Sequence, residues 1–183
     1  MVDADQLSRE VVGKGTAGLS EVVQAFGAEV LNSEGELDRA ALARRVFADP
    51  AERATLEGIT HPRVRALARE RFAELERQGE PLACYEVPLL FEAGLDTKYR
   101  PTVVVNCSLP QQIARAMQRD GRSRQAILAR ISAQMPLSEK VRRADYVIDN
   151  SADVAATRAD ADRVLGLICA QCGLDPARYL RTR

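Results

Sequence analysis

The chain has 183 residues, enough for one domain with a small appended subdomain, and should bury roughly 70% of its unfolded surface. Its 26 basic and 26 acidic residues cancel, so no global field draws in nucleic acid or an anionic membrane. No apolar run approaches the roughly 18 residues of a membrane span and no charged-then-apolar leader opens the sequence, so a soluble cytoplasmic protein is expected; a monomer is the expected state.

In chain order, apolar spacing predicts helices over 5–12, 16–26, 37–47 and 51–60. Pro62 fits the first position of a further helix, long and charged, reaching Arg77. Gln78-Gly79-Glu80-Pro81 reads as a turn. Three near-continuous apolar runs then read as strands: 82–87, 102–107 and 146–148. Such runs point to a parallel sheet covered on both faces. Helical patterns at 110–119, 124–133, 138–144 and 153–172 separate or follow them, which specifies an α/β fold. The expectation is a single domain, 1–183. Its parts are a helical region over 5–80, a core sheet over 82–150 with a flap at 119–135, and a C-terminal helix over 151–172.

Cys84 and Cys107 fall in the apolar runs and read as small buried hydrophobes. Cys169 and Cys172 form a Cys-x-x-Cys on a helix face. With no second pair, no preceding strand and one histidine in the chain, no metal site is expected. The role of the pair stays open.

Five short segments stand out. Val2-Asp3-Ala4-Asp5 sits where a strand ends and a helix begins. In open α/β sheets ligands collect there, although an acid at that point also simply favours the helix dipole. Thr60-His61-Pro62 is followed one turn later by Arg65, whose guanidinium can grip phosphate through two donors; a capping or structural histidine is the plainer reading. In Val87-Pro88-Leu89-Leu90-Phe91-Glu92 the proline ends a strand and three apolar residues offer a wall, or ordinary core. Arg119-Asp120-Gly121-Arg122-Ser123-Arg124, with Arg115 upstream, is either a solvated charged face or a helix–turn–helix lid that carries cations onto phosphates and excludes water. Ala144-Asp145-Tyr146-Val147-Ile148-Asp149-Asn150 is a strand whose end carries Asn150, which can read a purine edge or cap the next helix.

In this order the five segments resemble the dephospho-coenzyme A kinase family. The resemblance covers Met1 to about Cys172. It implies a P-loop NTPase-type parallel sheet flanked by helices, with a helical substrate subdomain and a lid. The implied reaction is ATP-dependent phosphorylation of the ribose 3′-hydroxyl of dephospho-coenzyme A, with Mg²⁺. It implies Asp5 as the base and Arg119 and Arg124 on the transferring phosphate, with Arg122 solvated. Asp3, His61, Arg65, Leu89, Leu90 and Phe91 would hold the acceptor, and Arg115, Arg142 and Asn150 the nucleotide. Glu86 could stand in for a Walker B acid, but nothing else supports that. A nucleoside or nucleotide kinase, and a non-catalytic module that binds coenzyme A or its precursor, are the rival readings.

Members of that family open with a strand and a glycine-rich Walker A loop, Gly-x-x-x-x-Gly-Lys-Ser/Thr, whose backbone amides wrap the phosphates. Gly13-Lys14-Gly15-Thr16 is not one: position 8 is Ser8, Lys14 is followed by Gly15, and a helix precedes it. The first central strand and its loop therefore have no counterpart in the sequence. Three explanations are open: a start upstream of Met1, a truncated remnant, or a relative that binds without catalysis. The apolar Met1-Val2, like the tail of a strand already under way, favours the first. Impaired or absent kinase activity is expected of these 183 residues alone.

Overall fold

The computed structural model describes residues 1–179 and divides into two compact units, Met1–Pro88 and the part that begins at Leu89. In the first unit, strand β1 (Val2–Asp3) runs straight into helix α1 (Ala4–Glu10). Helices α2 (Ala17–Phe26), α3 (Arg39–Ala48) and α4 (Pro50–Arg77) follow, and strand β2 (Tyr85–Glu86) pairs parallel with β1. Each helix starts on a side-chain oxygen that takes an otherwise orphaned N–H: Asp3, Thr16, Asp38 and Asp49. Val11, Val12, Val22, Phe26, Val30 and Leu42 form the core. Val64 and Leu67 of α4 pack both on this core and on a second cluster of Val2, Leu7 and Ala68.

The sequence pattern places a break at His61-Pro62, and the structure has none: Pro62 lies inside the 28-residue α4. A proline there removes one helical hydrogen bond and crowds the carbonyl four residues back, at about 3 kcal/mol. Position 58 is a glycine with open space around it, which eases the crowding. Leu56 and Ile59 before the proline and Val64 and Leu67 after it are all held by one core. Four such burials, at about 1.5–3 kcal/mol each when complete, outweigh the defect.

Gly18 allows α2 to cross the end of α1. A Cβ at that position would stand 2.1 Å from the Val11 carbonyl oxygen and 3.1 Å from Cδ of Arg63. An exposed helical Gly→Ala normally stabilises by about 0.5–1 kcal/mol. Gly18→Ala is expected to do the reverse and destabilise by about 1–3 kcal/mol through overpacking; urea unfolding of parent and variant checks the sign.

The second unit holds β3 (Val103–Asn106), α5 (Leu109–Asp120), α6 (Arg124–Ser132), α7 (Leu137–Arg143), β4 (Tyr146–Asp149) and α8 (Val154–Cys172). β3 and β4 pair parallel from Val103↔Tyr146 to Asn106↔Asp149. Val104, Ile113, Ile127, Val164, Ile168 and Cys169 are buried.

The strands are parallel as expected, but they are shorter and come as two separate pairs. Of the run 82–87 only Tyr85 and Glu86 pair. Burial on both faces fails in β3, where Val104 is buried while Val103 and Val105 are 38% and 53% exposed. Cys84 is exposed and Cys107 half-buried, so neither is the buried thiol that its apolar neighbours suggest. Of the Cys-x-x-Cys pair, Cys169 is buried and Cys172 exposed. Among the described residues no helix is long and apolar enough to cross a membrane.

Candidate active site

Asp3 and Asp5 have different surroundings despite their spacing. Asp3 is the N-cap of α1: its Oδ1 accepts the N–H groups of Asp5 at 2.8 Å and Gln6 at 3.1 Å. Asp5, in the first turn, is exposed, and its carboxylate has no hydrogen bond or ion pair among the described residues. Glu86 is the register partner of Asp3 across β1 and β2. Three carboxylates thus stand at the carboxyl ends of two parallel strands, where α/β folds collect ligands; that of Asp3 is taken by the cap, while those of Asp5 and Glu86 have no partner among the described residues. His61 and Arg65 lie one turn apart on α4, both exposed and both without a partner among the described residues.

In the second unit the three apolar residues after Pro88 divide. Leu89 is 47% exposed, while Phe91 is buried beneath the Arg143 guanidinium, 5.2 Å from the ring centroid. Arg143 also pairs with buried Asp96 at 2.6 Å. Of the three, Leu89 is the most open to a ligand and Phe91 belongs to the core.

Glu92 accepts the Met135 N–H at 2.8 Å and pairs with Lys140 at 2.8 Å. Burial alone would raise the Glu92 carboxyl; the hydrogen bonds from Lys140 and the backbone outweigh it and hold the group below its ordinary value. These contacts fix the link between α6 and α7. They join residues more than forty positions apart, so no local pattern in the sequence announces them.

The lid hairpin forms as the sequence suggests. Gly121 ends α5 in the left-handed region at φ 63°, and the Ser123 hydroxyl accepts the Ala126 N–H to start α6. Arg119 makes two hydrogen bonds to Asp120, at 2.7 and 3.1 Å. Arg124 is exposed at the first position of α6, with no partner among the described residues. A cation there opposes the helix dipole, by about 0.3–1 kcal/mol, so the fold gains nothing from it. That placement suits an anion supplied from outside.

Arg115 donates to the Asn150 carbonyl at 2.7 Å, and the Asn150 N–H donates to Asn106 at 2.7 Å. The Asn150 side-chain oxygen accepts from Thr157 at 3.0 Å, and its NH₂ has no partner among the described residues. Neither Asn150 nor Ser151 caps the last helix; Asp153 does, accepting the Ala156 N–H at 2.8 Å. Arg142, exposed on the last turn of α7, pairs with Glu139.

A cavity of about 590 Å³ opens in this unit, lined by the end of β3, the start of α5 and the α6–α7 link. Asn106, Cys107 and Gln112 lie on one side and Ile131, Met135 and Leu137 on the other.

Carboxylates at the ends of parallel strands in the first unit and an arginine-bearing helical hairpin in the second are the side-chain kinds that α/β small-molecule kinases use. Comparison with known proteins narrows this. The family model for dephospho-CoA kinase matches residues 1–156. A dephospho-CoA kinase of Anaeromyxobacter dehalogenans is 48% identical over 165 residues, 90% of this chain and 78% of the relative. A crystal structure of protein TT1252 from Thermus thermophilus is 38% identical with a TM-score of 0.77, covering 93% of this chain and 83% of that one. Dephospho-CoA kinase from Campylobacter jejuni is 27% identical with a TM-score of 0.66, covering 93% and 85%. The chain belongs to the dephospho-CoA kinase family.

Proposed function

We propose that the chain serves the ATP-dependent phosphorylation of the ribose 3′-hydroxyl of dephospho-coenzyme A. The observation that carries this reading is the kinase family's match across residues 1–156. The side chains supply roles that agree with it. Phosphoryl transfer needs a group that accepts the hydroxyl proton and orients its oxygen, and cations that meet the charge on the transferring group. Asp5, an exposed carboxylate with no partner among the described residues, is the base. Asp3 fixes the turn that presents it, and any contact of Asp3 with the acceptor uses an oxygen other than the capping one.

Arg124, and Arg119 once drawn from Asp120, stabilise the phosphoryl oxygens. His61 and Arg65 hold the acceptor's phosphate groups; Leu89, with Leu90, supplies apolar contact. Arg115, Arg142 and Asn150 serve the nucleotide. Mg²⁺ bound with ATP would neutralise phosphate charge; such ions need only one or two protein carboxylates, the rest being water and phosphate oxygens. Asp5 and Glu86 fit that modest requirement, and among the described residues no three acids, histidines or cysteines converge on a metal site.

The reading is tested by titrating dephospho-coenzyme A into the chain in a calorimeter. Arg65→Ala removes a charged hydrogen-bond donor worth about 1.5–3 kcal/mol, so it should weaken binding by roughly 10–100-fold. His61→Ala should weaken it less. An acceptor pocket that binds a nucleoside and ignores dephospho-coenzyme A would overturn the assignment.

A further inference from the structure

The hairpin segment 119–130 carries four arginines, Arg119, Arg122, Arg124 and Arg130, and a single acid, Asp120. That acid is shared. Its Oδ1 accepts the Nε–H of Arg119 at 2.7 Å, and its Oδ2 accepts from Nη2 of Arg119 at 3.1 Å. Nη1 of Arg130 reaches the same Oδ2 at 3.5 Å. One carboxylate oxygen is therefore approached by a guanidinium from each helix, Arg119 in the last turn of α5 and Arg130 in the last turn of α6. Arg124, at the opposite end of α6, has no part in it. Ten positions separate Asp120 from Arg130, so no helical spacing announces the pair.

The fold has little use for this arrangement. An acid at the last position of α5 opposes the helix dipole. The Arg119 and Arg130 side chains are 74% and 64% exposed, and ion pairs in such surroundings contribute little to stability. The turn is already specified by Gly121 and by the Ser123 cap, and each helix has its own buried isoleucine, Ile113 and Ile127. What the carboxylate does achieve is to hold two cations on one point. The other donors of both guanidinium groups have no partner among the described residues. A phosphoryl group, with more oxygens and more negative charge than a carboxylate, can take those donors as well.

We propose that Arg130 is a phosphate-binding residue of the lid beside Arg119, and that Asp120 is their resident counter-ion, displaced when a phosphoryl group arrives. The inference rests on the phosphate role given to Arg119 above, and all of its residues belong to the second unit.

A mere brace for the hairpin behaves differently. There, removing either charge loosens the same strut, and both changes act on anion binding in one direction. A counter-ion that competes with phosphate makes them act in opposite directions.

Tripolyphosphate is the probe, titrated into the 183-residue chain with sodium chloride holding the ionic strength constant. The arginine Nε–H signals are followed by heteronuclear NMR and assigned with Arg→Lys variants. Arg119 and Arg130 are expected to shift along one saturating curve, while Arg163, tied to Asp160 on α8, stays put. Read at Arg119, Asp120→Asn should tighten binding about three- to tenfold and Arg130→Gln should weaken it by a similar factor, the worth of one or two exposed ion pairs. Arg130→Lys, which keeps the charge, should recover most of that loss. An Arg130 signal that stays put while Arg119 shifts, or an Arg130→Gln chain that binds as tightly as its parent, overturns the Arg130 assignment and leaves the role of Arg119 standing. Asp120→Asn that leaves the curve unchanged or weakens it overturns the counter-ion role. No response from either arginine overturns this inference together with the phosphate role of Arg119.

Discussion

A polypeptide of these 183 residues is expected to bind dephospho-coenzyme A and yet convert ATP to ADP far more slowly than the same sequence preceded by a strand and Gly-x-x-x-x-Gly-Lys-Ser/Thr. No such motif stands within the 183 residues. In phosphoryl transfer the chemistry is mostly positioning and charge stabilisation, and the loop amides and lysine of that motif do much of both. Losing a single preorganised donor to a developing oxyanion costs about 10²–10³-fold, so losing a whole cradle should cost at least that. In the motif-bearing chain, Asp5→Asn is expected to lower turnover by about 10²–10⁴-fold, the usual worth of a positioned general base. Its melting temperature should barely move, because the Asp5 carboxylate holds nothing in the fold. Asp3→Ala should differ in losing about 0.5–2 kcal/mol of stability with the cap of α1, together with the turn that presents Asp5. Coupled ADP release and thermal melts on the same preparations check both halves. Equal turnover with and without the motif, or an Asp5→Asn enzyme as fast as its parent, would remove the assigned roles.

Asp145→Ala is expected to be among the most damaging single changes in the second unit. Asp145 Oδ2 accepts the Thr102 N–H at 2.7 Å and the Thr102 hydroxyl at 2.8 Å, and the Asp145 N–H donates back to that hydroxyl at 3.1 Å. Arg100 pairs with the other carboxylate oxygen. Thr102 is only 3% exposed, so its donors have no water to turn to. Each buried donor left unpaired costs about 1–3 kcal/mol. The clamp stands at the entry of β3 and β4 and sets their register, which continues with Val103↔Tyr146. The same contacts fix a pH dependence. The Thr102 N–H, opposed by burial and then aided by the Thr102 hydroxyl and Arg100, holds the Asp145 carboxyl below its ordinary value. Its contribution to stability is therefore complete above the unfolded-state value near 3.9 and is lost as pH falls below that, through the lower folded-state value. Melting temperatures of parent and Asp145→Asn should converge as pH is taken from 6 towards 3; a gap that stays constant would mean that the charge of Asp145 contributes nothing.

The lid hairpin and most helix starts were legible in the sequence because they are local. A serine three residues before the N–H that it accepts, or a glycine where the chain must turn left-handed, is written within one turn of helix. The same holds for the strand-to-helix step that presents Asp5, and for His61 and Arg65, whose four-residue spacing puts them on one face whether or not Pro62 starts the helix. Where the local signal was ambiguous, packing decided. The proline break disappeared because apolar residues on both sides of it share one core. The buried strands became half-exposed because an apolar run says that a segment is hydrophobic, not how many neighbours cover it.

The Ala144–Asn150 segment shows the remaining limit. The family resemblance assigned its end to the nucleotide, and the Asn150 NH₂ has no partner among the described residues, but the acid two places into the segment acts on Thr102, 43 residues earlier. Glu92 with Lys140, and Asp96 with Arg143, are pairs of the same kind. By itself, the sequence determined the caps, the turns, the parallel α/β character and the residue types that phosphoryl transfer requires, since each depends on neighbours within a few positions. Only the tertiary structure decided which carboxylates are free to act and which are clamps. A charge becomes structural through a partner brought close by folding, and no spacing along the chain encodes that distance.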